Sequence, residues 1–414
     1  TINVENPGMI VQNNIWQPNE IADRFRVFQI GTSYDETSDW NVNFLRTTLV
    51  GGKILATDSA GGVLPENRGG HGGVIYAHGR NIQLSLNTVT VRGGHVAGSG
   101  AGIYAYATET SKIDAKVSTF RGVKAIKNGG GIYNYATTAT IILNNSTIDN
   151  AYAGLNGGGI YNYSTVGNAT ITIDDGGIPN ATTKISNNSA EQNGGGIYNE
   201  SAQASAIISA TNAEFITNKA TLGSGGGIYN ISAQNSEVFL NRVLMSSNRA
   251  MDNNSSGGAI YNVARNLAQD TPKDVLAKIT AVHSTIAKGY VQGHGSAFYN
   301  YAESYGNAQA LVTLENSTVG ENEAGDYTVY VGAKSLGNDI TKRADTVVTL
   351  VNSTLAGNKD LWTTGGIYVF SKAAQSYSSK LYLLNSIVHS NYRGTDASDI
   401  IFENTINNEF VQNE

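Results

Sequence analysis

The chain has 414 residues, a formal net charge of -6, no cysteine, and 14% charged against 40% hydrophobic residues. The missing cysteines exclude a disulfide framework, thiolate metal sites and cysteine nucleophiles. The lack of any long basic run argues against a nucleic-acid surface, and no apolar run approaches the roughly 18 to 20 residues of a membrane-crossing helix.

Residues 1–70 are the least regular part. Met9 to Gln12, Arg26 to Ile30 and Asn41 to Phe44 alternate or run apolar over strand lengths, while Ser33 to Asp39 and Gly61 to Gly70 read as loops. These strands are expected to be early, imperfect coils of the repeat that becomes regular at residue 71, with Trp16 and Trp40 as edge packing.

From residue 71 to 414 one phrase recurs. Gly129-Gly130-Gly131-Ile132-Tyr133-Asn134 returns at Gly157 to Asn162, Gly194 to Asn199, Gly225 to Asn230 and Gly257 to Asn262, with weaker copies ending at Tyr76, Tyr104, Asn300, Tyr330 and Tyr368. The apolar residue before each Tyr recurs every 28 to 38 residues, a period that marks a repeat array. Each repeat has a second half, as in Ile141-x-Leu143-x-Asn145-x-x-Ile148 and Val312-x-Leu314-x-Asn316-x-x-Val319, and six residues after that Asn slot another Asn often follows, as at Asn218, Asn322, Asn358 and Asn391.

Alternation of period two with β-branched residues, and no sustained helical period, gives three short strands per repeat. Three strands in about 30 residues cannot close a core alone, but stacked repeats can. The expected fold is therefore all-β, a right-handed single-stranded parallel β-helix of about eleven or twelve coils, one continuous domain and a rod of roughly 50 to 60 Å at about 4.8 Å per coil. Ile132 and its equivalents point inward. Tyr133 and its equivalents point outward, and Asn134 points inward in a stacked amide ladder. His283, standing in the slot of Asn145, is expected to be an inward corner residue.

Chemistry is sparse. Asp174-Asp175 precedes Gly176-Gly177 and reads as a turn; the six histidines have no metal-ligand spacing, and no nucleophile elbow or phosphate loop appears. No metal or cofactor is expected. The outward tyrosines form one column from Tyr76 to Tyr368, open to two readings: a stabilising aromatic ladder, or a binding strip, since Tyr offers large contact area at low entropic cost. The longest connections follow Tyr261 and Tyr330, bringing Arg265, Lys273, Lys342 and Arg343 beside Tyr261, Tyr299 and Tyr330. Insertions on one face of a solenoid commonly form its binding face, so these seven are the candidate site.

The pairing of Gly-Gly-Gly-Ile-Tyr-Asn with Asn-Ser-Thr resembles bacterial secreted and surface β-helix proteins, including polymorphic outer-membrane-protein repeats and autotransporter-type passenger domains. The Gly-Gly-Ala-Ile and Phe-x-x-Asn tetrapeptides of the chlamydial members occur as Gly257 to Ile260 and Phe215 to Asn218. The resemblance implies an extracellular or bacterial cell-surface location, within a longer exported chain, and an adhesin or passenger domain that binds a host-surface protein or glycan as a monomer. The same folds host polysaccharide lyases or hydrolases and structural stalks, which rank second and third here for want of an acid-base constellation.

Overall fold

The computed structural model describes residues 2–5, 10–12, 24–31, 36–54, 70–362, 366–374, 376–393, 396–397, 399–403 and 408–413. Trp16 and the loop from Gly61 to Gly70, up to residue 69, lie outside them. The described chain winds as a right-handed parallel β-helix, one repeat per coil. Pairings among the described strands are parallel except at the two ends, where 24–25 meets 53–54 and 392–393 meets 396–397. Twelve coils stack through the position of Ile132, from Phe28 to Ile400. The early strands join the same stack: Asp39–Leu45 pairs in register with residues 81–87, and Phe28–Ile30 with 75–77.

A representative coil carries strands Ile132–Ala136, Thr138–Asn144, Thr147–Asp149 and Tyr152–Ala153. The fourth, two-residue strand is an addition to the three expected. Its inward residue is small, running Val96, Ala125, Ala153, Ala190, Ala220, Ala250, Val291 and Ala324 up the rod, because the wall there approaches the Gly run of the same stack. A Cβ on Gly130 would lie 2.4 Å from the carbonyl oxygen of Gly158 and 2.5 Å from that of Tyr152, so a side chain has no room. Gly129, at φ 65°, takes the left-handed turn that glycine adopts without strain.

Alternation delivers the expected interior. Ile132, Ile160, Ile197, Ile228 and Ile260 are fully buried in one continuous core. Asn134, Asn162, Asn199, Asn230, Asn262 and Asn300 form the amide ladder, each side-chain Nδ2 donating to the next Oδ1 at 2.8 to 2.9 Å. A second ladder runs Asn188 to Asn218 to Asn248 and, past Gly289, Asn322 to Asn358 to Asn391.

The slot of Asn145 corrects the sequence reading. It is a turn residue in left-handed conformation, at φ 45° in Asn145 and 49° in His283, and His283 is exposed, with its ring 3.5 Å from Asn316 Nδ2. Asparagine is frequent there because it tolerates positive φ. The inward residue is the serine that follows: Ser118 N donates to Ser146 Oγ, Ser284 N to Ser317 Oγ, and Ser317 N to Ser353 Oγ.

Asp174 and Asp175 do form a turn, accepting from the amides of Gly176 and Gly177. Trp40 packs against the core while its indole N–H donates to the carbonyl of His78.

Candidate functional site: the tyrosine flank and its charged edge

Ten tyrosines stack from Tyr76 to Tyr368 with centroids 4.6 to 5.2 Å apart. Most neighbouring planes lie within 10° of parallel, so each ring face is taken up by the next ring and little remains for a ligand to stack on. A second column two residues on, through Tyr106, Tyr135 and Tyr163, stacks at 4.9 and 5.1 Å. Burial raises the hydroxyl of Tyr261 above the ordinary phenol range and pushes those of Tyr229 and Tyr299 far above it, with the Arg265 guanidinium opposing the shift. In the middle of the flank Tyr198 donates to Glu200, whose carboxyl is itself raised by burial.

The long connections after Tyr261 and Tyr330 are used first to lengthen the tyrosine strand. Ile132–Ala136, Ile160–Ser164, Ile197–Ser201 and Ile228–Ser232 have five residues, whereas Ile260–Asn266, Phe298–Ser304 and Val329–Ser335 have seven. The added width carries one more outward column. Four residues beyond each Tyr the narrower coils have Thr137, Thr165, Ala202 and Ala233, and the wider ones have Arg265, Glu303 and Lys334, continued by Lys372. Glu303 accepts an ion pair from Arg265 and another from Lys334, both at 3.1 Å. One carboxylate thus holds two partly exposed cations in fixed positions.

The seven candidates therefore divide. Tyr261, Tyr299, Tyr330 and Arg265 share the flank. Lys273 is exposed and Lys342 half-buried on the loops beyond it, and Arg343 lines a separate trough at the start of the second strand of each coil with Asp274, Asn307, Gln309 and Asp345. Lys342 acts electrostatically on Asp274, whose carboxyl is held low mainly by hydrogen bonds from Asn307.

A second cluster escapes the sequence reading. In the coil after Phe298 the Gly run is missing, and Tyr327 stands in the left-handed turn position at φ 55°, where Gly257 and Gly295 precede it in the stack. A Cβ on Gly295 would lie 2.3 Å from the carbonyl of Phe298, three residues on. The turn from Tyr327 to Val329 is one residue shorter than that from Gly295 to Phe298. Beside it, His294 Nδ1 lies 3.3 Å from Asp326 Oδ2, and Tyr327 stacks on Tyr368 at 4.3 Å. Asp360 occupies the small-residue column next to Ala324, fully buried. The signals in the sequence are the loss of Gly before Val329 and an acid where the column calls for alanine. Two carboxylates and an imidazole are the groups acid-base chemistry needs, yet Asp360 has no exposed surface and cannot reach a substrate in this conformation. Among the described residues no three His, Cys, Asp or Glu side chains converge as metal ligands, and no helix is long and apolar enough to cross a membrane.

A model of the Chlamydia polymorphic membrane protein repeat matches residues 182–200. That window holds the strand Thr183–Ser186, the ladder residue Asn188, the strand Ser189–Ala190, the Gly run and Ile197-Tyr198-Asn199, so it spans the turn from third strand to tyrosine strand of one coil. No curated protein and no solved structure matches the chain.

Proposed function

We propose that this chain is the exposed β-helical rod of a bacterial secreted or cell-surface protein, acting as a monomeric adhesin or passenger domain that binds a host-surface protein or glycan through its widened C-terminal flank. The observation that carries the reading is the charged column Arg265, Glu303 and Lys334, bridged through Glu303 on three successive seven-residue tyrosine strands, where the four five-residue strands before them are followed by Thr or Ala. A stalk has no need of three charges bridged in register on successive coils of one face. Tyr261, Tyr299 and Tyr330 supply the rigid backing, and Arg265 and Lys334 the contacts, Arg being enriched at binding hot spots. Lys273 and Lys342 extend the cationic edge towards the loops, while Arg343 turns away to the separate trough.

Screening the chain against glycan and host-protein arrays and then the Arg265→Ala/Lys334→Ala double variant tests this. The variant is expected to lose at least about tenfold in affinity with only a modest fall in melting temperature, which comes from Glu303, 13% exposed and deprived of both counter-charges. Tyr299→Ser is expected to do the reverse, lowering the melting temperature through loss of two stacking contacts worth about 0.5 to 1.5 kcal/mol each. An array hit whose affinity ignores both changes would place recognition elsewhere. Reducing ends or unsaturated products released from an acidic polysaccharide would favour an enzyme instead.

A further inference from the structure

Two open troughs on the described surface fall on one line. The first, about 500 Å³, is lined by Asp39, Asn41, Asn81, Gln83, Thr110 and Lys112 among others. The second, about 330 Å³, is lined by Asn235, Asp274, Asn307, Gln309, Arg343 and Asp345 with the apolar Val275 and Leu276. Strand register puts both at the start of the second strand of each coil, the position of Thr138. Asp39 pairs with Asn81, Asn81 with Thr110 and Thr110 with Thr138; further along, Asn235 pairs with Leu276, Leu276 with Gln309 and Gln309 with Asp345. The coils between them continue the line with Asn168 and Ser205, the Ser205 amide donating to Asn168 Oδ1 at 3.2 Å. Nine of the ten positions from Asp39 to Asp345 are polar, Leu276 being the exception.

The polar groups are fixed in place. Asp39 is held by Arg80 at 2.6 and 3.0 Å and by Asn81 Nδ2 at 2.9 Å, contacts that lower its carboxyl to about 2, the Arg80 hydrogen bond first. Asn81 Oδ1 in turn accepts from the Thr110 amide at 3.2 Å. In the second trough Asn307 donates to both oxygens of Asp274 and accepts from the Arg343 amide, and Asp345 accepts from Ser378.

We propose that this line is a second binding surface, an axial groove for an extended, uncharged oligosaccharide. Its chemistry selects a polyol: planar amides, carboxylates and hydroxyls dominate, and Asp39 faces Arg80 while Asp345 faces Arg343 at 3.6 Å, leaving little net charge for an ionic ligand. A peptide adding as a strand needs a free sheet edge, and the edges of these strands are taken by the coils on either side. A folded protein needs a buried apolar anchor; of the apolar lining, Ile82 and Val275 are buried in the core and Trp40 packs against it, which leaves Leu276. Geometry agrees, since successive rings of an extended pyranose chain are spaced close to the coil rise of about 4.8 Å. Each ring then meets the equivalent side chain of the next coil, and a long chain bridges both troughs. This surface is separate from the charged flank, so either reading can stand without the other.

Titration of the full chain with linear gluco-, manno- and N-acetylglucosamine oligosaccharides, from disaccharide to dodecasaccharide, tests it. For at least one series affinity is expected to climb while one trough fills, to level off, and to rise again at least tenfold once the chain reaches the second trough, linked sites commonly gaining about 10²- to 10⁴-fold. Gln83→Ala/Lys112→Ala and Asn235→Ala/Gln309→Ala, each disabling one trough, should abolish the second rise, while Arg265→Ala/Lys334→Ala leaves it intact. Melting curves verify that the variants fold. Failure of all three series to bind, or binding indifferent to both trough variants, overturns the proposal. Binding lost only in Arg265→Ala/Lys334→Ala would overturn it while supporting the flank.

Discussion

Asn199→Val is expected to destabilise the rod by about 3 to 5 kcal/mol, although valine is the residue that the fold itself puts in this slot two coils beyond Asn262, at Val331. Asn199 is fully buried; its Oδ1 accepts from Asn162, and its Nδ2 donates to Asn230 at 2.8 Å and to the carbonyl of Ala169 at 3.1 Å. Valine has similar bulk, so no large cavity opens. What changes is that Asn230 Oδ1 loses its donor, the Ala169 carbonyl loses an amide, and Asn162 Nδ2 keeps only contacts of 3.4 Å. Each buried polar group left without a partner costs about 1 to 3 kcal/mol. Asn134→Val is the control. Its Oδ1 has no hydrogen-bond partner, so the end of the ladder has less to lose and a cost of about 1 to 2 kcal/mol is expected. Urea unfolding with linear extrapolation distinguishes the two; equal costs would mean that the amides fill space without acting as a bonded series.

The second large effect is a pH dependence centred on Asp360. Burial, reinforced by the Asp326 carboxylate, pushes its carboxyl up to about 8, against the opposing influence of the Tyr327 amide and the Thr328 hydroxyl. The ordinary value is 3.8, so between the two the folded chain binds the extra proton. Stability from this group is complete below about pH 4 and is lost as pH rises towards 8, at up to about 1.4 kcal/mol per pH unit. Asp360→Ala restores the small-residue column of Ala220, Ala250 and Ala324 and removes the buried acid. The variant should match the parent near pH 4 and exceed it by several kcal/mol at about pH 8.5. Parallel stability-pH curves for parent and variant would show that the carboxyl is ionised and satisfied in the fold.

Much of this architecture was legible because a solenoid writes its period into the chain. The Ile-Tyr-Asn phrase defines face, ladder and stack together: Ile132 inward, Tyr133 outward, Asn134 bonded to Asn162 one coil on. The two-residue strand is hidden, since Tyr152–Ala153 is too short to show alternation. Asn145 reads as inward because a repeated Asn serves equally for an amide ladder and for a left-handed turn, and only the backbone distinguishes them. For the site, the sequence locates the long connections but not their use, since lengthening a strand by two residues looks the same in the sequence as lengthening a loop. Nor does spacing say that Arg265 meets Glu303 on the next coil, or that Arg343 turns to a different trough.

The central claim, that the widened flank is the recognition surface, is tested most directly by hydrogen-exchange footprinting of the chain with and without its first confirmed array ligand. Protection is predicted at residues 260–266, 298–304 and 329–335 and on the loops that follow them, with the narrower coils at 132–136, 160–164 and 197–201 unchanged. Protection confined to those narrower coils, or spread evenly along the rod, would contradict it.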